Sequence, residues 1–172
     1  LEQNEVDFSL VTVSPKHLDL EEELIMDNEL VLIASKNNSI DAQKISTKSF
    51  FKTTPLIYRE EGSGTRFTMQ QFFKEENIQP KIKLELTSNE AIKQAVVADI
   101  GISIVSLLSI KNELEQNDIK IIPVQGLPLK SEWKLIWLKR KSLSPVAKGF
   151  LEYVATEKEK VFETYFKWTK KY

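Results

Sequence analysis

The chain has 172 residues, 41% of them hydrophobic and 28% charged, which excludes a large multidomain enzyme and is typical of one globular domain or two small lobes. Its formal net charge is −1, whereas a stand-alone DNA- or RNA-binding domain is normally basic. The absence of cysteine excludes disulfides, thiolate metal sites and a cysteine nucleophile, and a single histidine excludes a His-rich metal site.

The first part of the chain predicts strands and few helices. Residues 8–13 form an apolar run that ends at Ser14-Pro15, which predicts a buried strand. Residues 24–26 and 30–34 predict two more strands with a break at Asp27-Asn28, and 36–49 predict a loop with a short helix. Strands this apolar need neighbours on both sides, so we expect the first lobe to lack elements at its N-terminus.

Strands and helices alternate from residue 55 onward. The predicted strands are 55–59, 81–87, 102–105 and 119–124. The predicted helices are 63–77, a helix that begins at a capping box over 87–90, and 106–114. Gly101 fits the position just after the second helix. This alternating order predicts a largely parallel sheet with helices on its faces.

The last part of the chain predicts one strand and a helical C-terminus. Residues 133–139 alternate as a strand, and Ser144 followed by Pro145 is a strong helix start. Residues 157–172 mix charged and aromatic side chains and predict a second helix or a continuation. The apolar face of the helix is predicted to consist of Val146, Phe150, Leu151 and Val154.

Two turns between a strand and a helix carry residues suited to an anion. In residues 61–66 (EGSGTR), glycines allow close approach, and hydroxyls, helix N–H groups and Arg66 are donors. Residues 87–90 (TSNE) stand at the next such junction, where strand ends of a doubly wound sheet line a ligand crevice. Thr12 and Ser14 follow the first strand and are candidates for the same crevice. The alternatives that stay open are helix capping for the two turns and an ordinary turn for residues 12–15.

Taken together, these segments resemble the effector-binding domain of LysR-type transcriptional regulators. The resemblance rests on residues 1–11 with Asp7, on 59–66, on 88–96 followed by 101–105, and on 143–151, in that order. It covers roughly residues 1–155 and is closest to the regulators of sulfur and carbon assimilation.

The resemblance implies an α/β fold of the two-lobed periplasmic-binding-protein type, in which each lobe is a mainly parallel sheet flanked by helices. Lobe I would contain residues 1–58 and 125–172, and lobe II residues 59–124. The family's helix-turn-helix and the first β-α-β of lobe I have no counterpart in the chain, so we expect a fragment of a longer regulator.

The same resemblance implies that a small, anionic effector binds between the lobes. Its contacts would be Thr12, Ser14, Ser63, Gly64, Thr65, Arg66, Asn89, Gln94 and Ile102. No cofactor, metal or catalytic residue is expected. The domains would pair as antiparallel dimers, and as tetramers in the full-length regulator, and DNA would be bound only through the absent helix-turn-helix.

Two other classes of protein share this fold. A solute-binding protein of an anion ABC transporter is the alternative, because phosphate and molybdate receptors use a similar Gly-Ser-Gly-Thr turn. The acidic start of the chain carries no secretory signal, and the chain lacks a cysteine for lipid attachment, which argues against that class. A metabolic enzyme would need a catalytic constellation that is not visible. No apolar run approaches the roughly 18 residues of a membrane span, so we expect no segment that spans a membrane. The resemblance to the regulators implies a cytoplasmic protein without membrane association.

Overall fold

The computed structural model describes residues 1–40 and 47–172. The strands in this part of the chain are β1 (Ser9–Val11), β2 (Leu20–Ser35), β3 (Leu56–Arg59), β4 (Ile82–Leu86), β5 (Ser103–Ser106), β6 (Ile119–Ile121) and β7 (Leu129–Leu138). The helices are α1 (Thr47–Thr53), α2 (Gly64–Glu75), α3 (Asn89–Val97), α4 (Lys111–Glu115) and α5 (Pro145–Tyr165), with short 3-10 helices at Leu107–Ser109 and Lys167–Lys171. Part of the loop and short helix predicted over 36–49 lies outside the described residues.

The chain divides into two compact units. Unit 1 contains Leu1–Asn28 and Ser131–Tyr172, and unit 2 contains Glu29–Lys130. The chain passes from one unit to the other within β2 and near the start of β7. The lobe boundaries predicted at 58/59 and 124/125 stay predictions.

Strand β2 is continuous, although the sequence predicted two strands with a break at Asp27-Asn28. The physical reason is the environment of Asn28, which is buried and donates from Nδ2 to the Ser131 hydroxyl oxygen at 2.7 Å. A buried amide that finds a partner on the neighbouring strand does not need a turn to reach water. Asp27 and Asn28 therefore lie within strand β2 and do not interrupt it.

Unit 1 is held together by β1, β7 and α5. Strand β1 pairs antiparallel with β7, with Leu10 opposite Leu135. Helix α5 begins as predicted, because the Ser144 hydroxyl oxygen accepts a hydrogen bond from the Ala147 backbone N–H at 3.2 Å. Further along, the Lys158 ammonium group reaches the Glu23 carboxylate on β2 at 2.6 Å.

The elements of unit 1 bury less apolar surface than the sequence predicts. Leu10 of β1 is 55% exposed, and within the described residues β1 pairs only with β7. On α5, Ala147 is buried, but Val146 and Phe150 are 83% and 48% exposed. Strand β1 is therefore an edge strand, and one side of α5 carries apolar side chains that this unit does not cover.

In unit 2, β3 and its neighbours run parallel, whereas the pairings of β2 are antiparallel. Strand β3 pairs with β4, and Leu56 pairs with Ile102 just before β5. Helical crossovers return the chain in the same direction, which makes these three segments parallel. Strand β2 runs against β5 and β6, so the mainly parallel sheet expected from the sequence holds only around β3.

An aromatic cluster fills the core beside β3. Met69, Phe72 and Phe73 of α2 are buried. The ring of Phe51 lies 4.9 Å from that of Phe73 and 5.2 Å from that of Phe50, edge to face. Such pairs contribute about 0.5–1.5 kcal/mol each beyond their buried area. This core holds α1 and α2 against β3, the strand that leads into the candidate site.

Gly101 is required for a close approach of strands and does not end α3. The helix ends at Ala98, and Asp99 takes the left-handed conformation with φ 56°. Gly101 is buried, and a Cβ at this position would lie 2.8 Å from the Pro55 carbonyl oxygen. The predicted position of the turn was therefore wrong by two residues, because an aspartate adopts the conformation that was assigned to the glycine.

Replacement of Gly101 by alanine is expected to destabilise the protein by about 1–3 kcal/mol, because the backbone at Pro55 must move. Gly149→Ala is the matched control, since nothing lies within 4 Å of an added Cβ there and Gly149 is inside helix α5. The control is expected to stabilise by about 0.5–1 kcal/mol. Urea unfolding measures both changes, and equal effects would contradict the assigned role of Gly101.

Candidate functional site

The carboxyl ends of β3 and β4 lie side by side at one edge of unit 2. Arg59, the last residue of β3, pairs with Leu86, the last residue of β4. Helix α2 begins at Gly64, after the first strand, and helix α3 begins at Asn89, after the second. Two helix N-termini, each with unpaired N–H groups and a partial positive charge, therefore follow adjacent strand ends.

The first turn is both a helix cap and a source of donors. The Ser63 hydroxyl oxygen accepts from the Arg66 backbone N–H at 3.4 Å, so this serine caps α2. Its own O–H hydrogen stays available, because a hydroxyl donates one hydrogen bond while it accepts others. Gly62, with φ 89°, takes a conformation that favours glycine. Capping and anion binding, which the sequence left as alternatives, are compatible at Ser63.

The second turn is capped one residue later than the sequence predicted. Ser88, and not Thr87, accepts from the Ala91 backbone N–H at 3.1 Å. Asn89 is exposed at the start of α3. Gln94, a predicted effector contact, is engaged within its own helix, where it donates to Glu90 at 3.0 Å. Hydrogen bonds from Lys93 and Gln94 hold the pKa of the Glu90 carboxyl below its ordinary value.

Arg66, also a predicted effector contact, is engaged by the protein itself. Its side chain is 12% exposed, and Nη1 lies 2.6 Å from the Glu85 carboxylate and 2.9 Å from the Arg59 carbonyl oxygen. Its guanidinium lies over the ring of Tyr58, 5.6 Å from the centroid. Burial raises the pKa of Tyr58 to about 12, against the opposing charge of Arg66. Arg66 therefore joins β3 to β4.

Sequence reasoning missed Arg59, which lies between the two helix starts. Its side chain is 16% exposed and donates from Nε and Nη2 to the two oxygens of Glu60, at 2.7 and 2.8 Å. Its third group, Nη1, donates to Oδ1 of Asn89. The hydrogen bond from Arg59 holds the pKa of the Glu60 carboxyl below its ordinary value. The sequence feature that could have identified Arg59 was its position at the carboxyl end of a strand that leads into a predicted ligand crevice.

The other predicted site residues lie elsewhere. Ile102 is fully buried in the core of unit 2, and its carbonyl accepts from the Ile57 N–H at 2.8 Å. Its side chain packs in that core, and its predicted role as an effector contact stays a prediction. Thr12 and Ser14 belong to unit 1, where the buried hydroxyl oxygen of Ser14 has no hydrogen-bond partner among the described residues.

The chemistry of this edge is that of neutral donors. Both arginines are paired with carboxylates, although the buried Nε of Arg66 has no hydrogen-bond partner; the neutral donors are helix N–H groups, hydroxyls and the amide of Asn89. Residues 1–40 and 47–172 hold no cluster of His, Asp or Glu that fits a metal ion. In the same residues, no helix is long and apolar enough to cross a membrane.

The Arg59–Glu60 ion pair is expected to make stability depend on pH. Because the pKa of Glu60 is lowered in the folded state, the pair stabilises the fold above the ordinary value of 4.5, and this contribution is lost as the pH falls through the lowered value. Glu60→Gln should therefore be less stable than wild type at pH 7, with a difference that shrinks in acid. Urea unfolding between about pH 7 and pH 3 measures it, with Glu61→Gln, at an 87% exposed side chain, as the control.

Residues 1–159 match the family described as the LysR substrate binding domain. The RuBisCO operon transcriptional regulator of Allochromatium vinosum is 38% identical over 157 residues, which are 91% of this chain and 52% of that protein. The HTH-type transcriptional activator CmpR of Synechocystis sp. is 40% identical over 147 residues, which are 86% of this chain and 48% of that protein. The chain therefore spans about half the length of the curated relatives it matches.

A solved structure agrees with these relatives. The regulatory domain of CcmR from Synechocystis PCC6803, in complex with 2-PG, matches with a TM-score of 0.81 and 33% identity, over 89% of this chain and 74% of that chain. Regulatory domains of this family have the two-lobed periplasmic-binding-protein-like fold, so the predicted two-lobed α/β fold is confirmed. The comparisons give no support to the transporter alternative, and the chain belongs to the LysR substrate binding domain family.

Proposed function

We propose that this chain is the effector-binding part of a LysR-type transcriptional regulator and that its effector is a small anion. The observation that carries the proposal is the edge where α2 and α3 begin at adjacent strand ends, in a chain similar to a regulatory domain solved in complex with 2-PG. The relatives named above are transcriptional regulators. On this proposal the domain catalyses no reaction and acts in the cytoplasm, where the regulated DNA lies.

The anion is bound mainly by neutral groups. It accepts hydrogen bonds from the N–H groups of Gly64 and Thr65, from the Ser63 and Thr65 hydroxyls, and from the amide of Asn89. Arg66 and Gln94 act indirectly, since Glu85 and Glu90 already engage them. Ile102 supports the strands from the core. Thr12 and Ser14 are the contacts that we propose from unit 1.

The regulatory effect follows from preferential binding. An effector that binds one arrangement of the domain more tightly shifts the population toward that arrangement. The shift changes how an attached DNA-binding domain engages its site, and the two binding events are coupled reciprocally. With a formal net charge of −1, this chain is not expected to hold DNA by itself.

We further propose that unit 2 forms a homodimer contact through α2 and β4. Phe67 on α2 is 45% exposed, and Ile82 and Leu84 on β4 are 54% and 37% exposed. Among the described residues β4 pairs only with β3, so its other edge is open. Phe72 and Phe73, on the same helix, are in the core and are not part of this surface. The edge strand β1 of unit 1 is the surface proposed for the partner copy.

The anion proposal is tested with a pair of matched cap variants. Ser63→Ala and Ser144→Ala each remove a serine that caps a helix, so both are expected to lose about 1 kcal/mol of stability. Only Ser63→Ala should weaken binding of 2-PG, by about ten-fold or more, because a hydrogen bond to a charged ligand contributes about 1.5–3 kcal/mol. Titration calorimetry measures the affinities. Equal affinities in the two variants would contradict the site, and no binding of 2-PG or inorganic phosphate by wild type would contradict the effector class.

The dimer proposal is tested by light scattering at micromolar concentration, where we expect the mass of a dimer. Ile82→Lys places a charge on the open edge of β4 and should shift the mass to that of a monomer. Gln79→Lys adds the same charge at an exposed position just outside the strand and should leave the dimer intact. A monomeric wild type, or a dimer that tolerates Ile82→Lys, would argue against this contact.

A further inference from the structure

We propose that Arg59 is a positioning residue of the anion site, and that it acts by orienting the side-chain amide of Asn89. This inference rests on the proposed function, because it assigns a role within the same site. Arg59 was not among the residues predicted to touch the effector. The structure nevertheless places its guanidinium between the end of β3 and the start of α3, with a hydrogen bond to Oδ1 of Asn89.

The chemistry of the two groups determines how the amide is turned. A guanidinium carries only donors, so the atom of Asn89 that faces it must be the carbonyl oxygen. The amide is planar, and its NH₂ group therefore points away from Arg59. An exposed asparagine without such a partner rotates freely, so its NH₂ group is not held in the binding orientation before an anion arrives. With Arg59 in place, Asn89 presents two donors at the start of α3, beside the unpaired N–H groups of the first turn.

Arg59 is itself held in one orientation. Its Nε and Nη2 donate to different oxygens of Glu60, at 2.7 and 2.8 Å, in a two-pronged pair that fixes the plane of the guanidinium. The same pair neutralises its charge, and only 16% of the side chain is exposed. Arg59 is therefore a poor direct counter-charge for an effector. The third nitrogen of the guanidinium, Nη1, donates to Asn89.

A double-mutant cycle separates positioning from direct contact. We expect Arg59→Met and Asn89→Ala each to weaken 2-PG binding by about ten-fold, and the double variant to be no weaker than Asn89→Ala alone. A further ten-fold loss in the double variant would mean that Arg59 affects binding by contact or charge and not through Asn89. An unchanged affinity in Arg59→Met would mean that the arginine only supports the fold. Either result overturns the proposal. Arg140→Met, at an 89% exposed arginine of unit 1, is the matched control and should bind as wild type does.

A second measurement needs no ligand. In nitrogen-15 NMR spectra, the Asn89 side-chain NH₂ signals, identified by their loss in Asn89→Ala, should be dispersed in wild type and in Arg140→Met. In Arg59→Met they should move toward the positions of a freely exposed asparagine. If they do not move, Arg59 does not orient the amide and the proposal fails. If wild type binds neither 2-PG nor phosphate, the proposed function fails, and the NMR comparison still decides whether Arg59 holds Asn89.

Discussion

The parallel alignment of β3 with its neighbours is the constraint on which the candidate site depends. Buried hydrogen bonds fix it: the Ile57 N–H donates to the Ile102 carbonyl, and the Ser103 hydroxyl donates to the Ile57 carbonyl, both at 2.8 Å. Parallel strands must be joined by crossovers, and each crossover here contains a helix. Each helix therefore begins near a strand's carboxyl end, at the same edge. The donors of α2 and α3 come together because the strands that precede them are adjacent.

Charge at this edge orients groups more than it attracts a ligand. Arg59 is paired with Glu60, and Arg66 with Glu85, so each cation is compensated where it lies. Partial burial of a cation costs desolvation free energy, and the carboxylate partner offsets this cost. Within α3, Lys93 reaches the buried Glu113 of α4 at 2.7 Å. Burial by itself would lower the pKa of Lys93. The hydrogen bonds to Glu113 and Glu90 outweigh burial and raise this pKa above its ordinary value.

Local signals predicted most elements of unit 2 and the helix starts. The alternation of strands and helices after residue 55 and the serine caps at Ser63 and Ser144 rest on neighbours within a few residues. The errors have another origin. The continuity of β2 depends on Asn28 meeting Ser131, which is 103 residues away. The exposure of Phe150 on α5 depends on which surfaces other elements cover.

The same distinction holds for the candidate site. Short-range chemistry decides that residues 61–66 and 87–90 form turns rich in donors, because glycines and hydroxyls act on their own backbone. The partners of the arginines are decided by contacts between residues that are distant in the sequence. Arg59 meets Asn89, 30 residues later, and Arg66 meets Glu85, because the register of β3 on β4 places Arg59 opposite Leu86. A strand register is a property of the assembled sheet, so which donors are free and which are occupied emerges only when the chain folds.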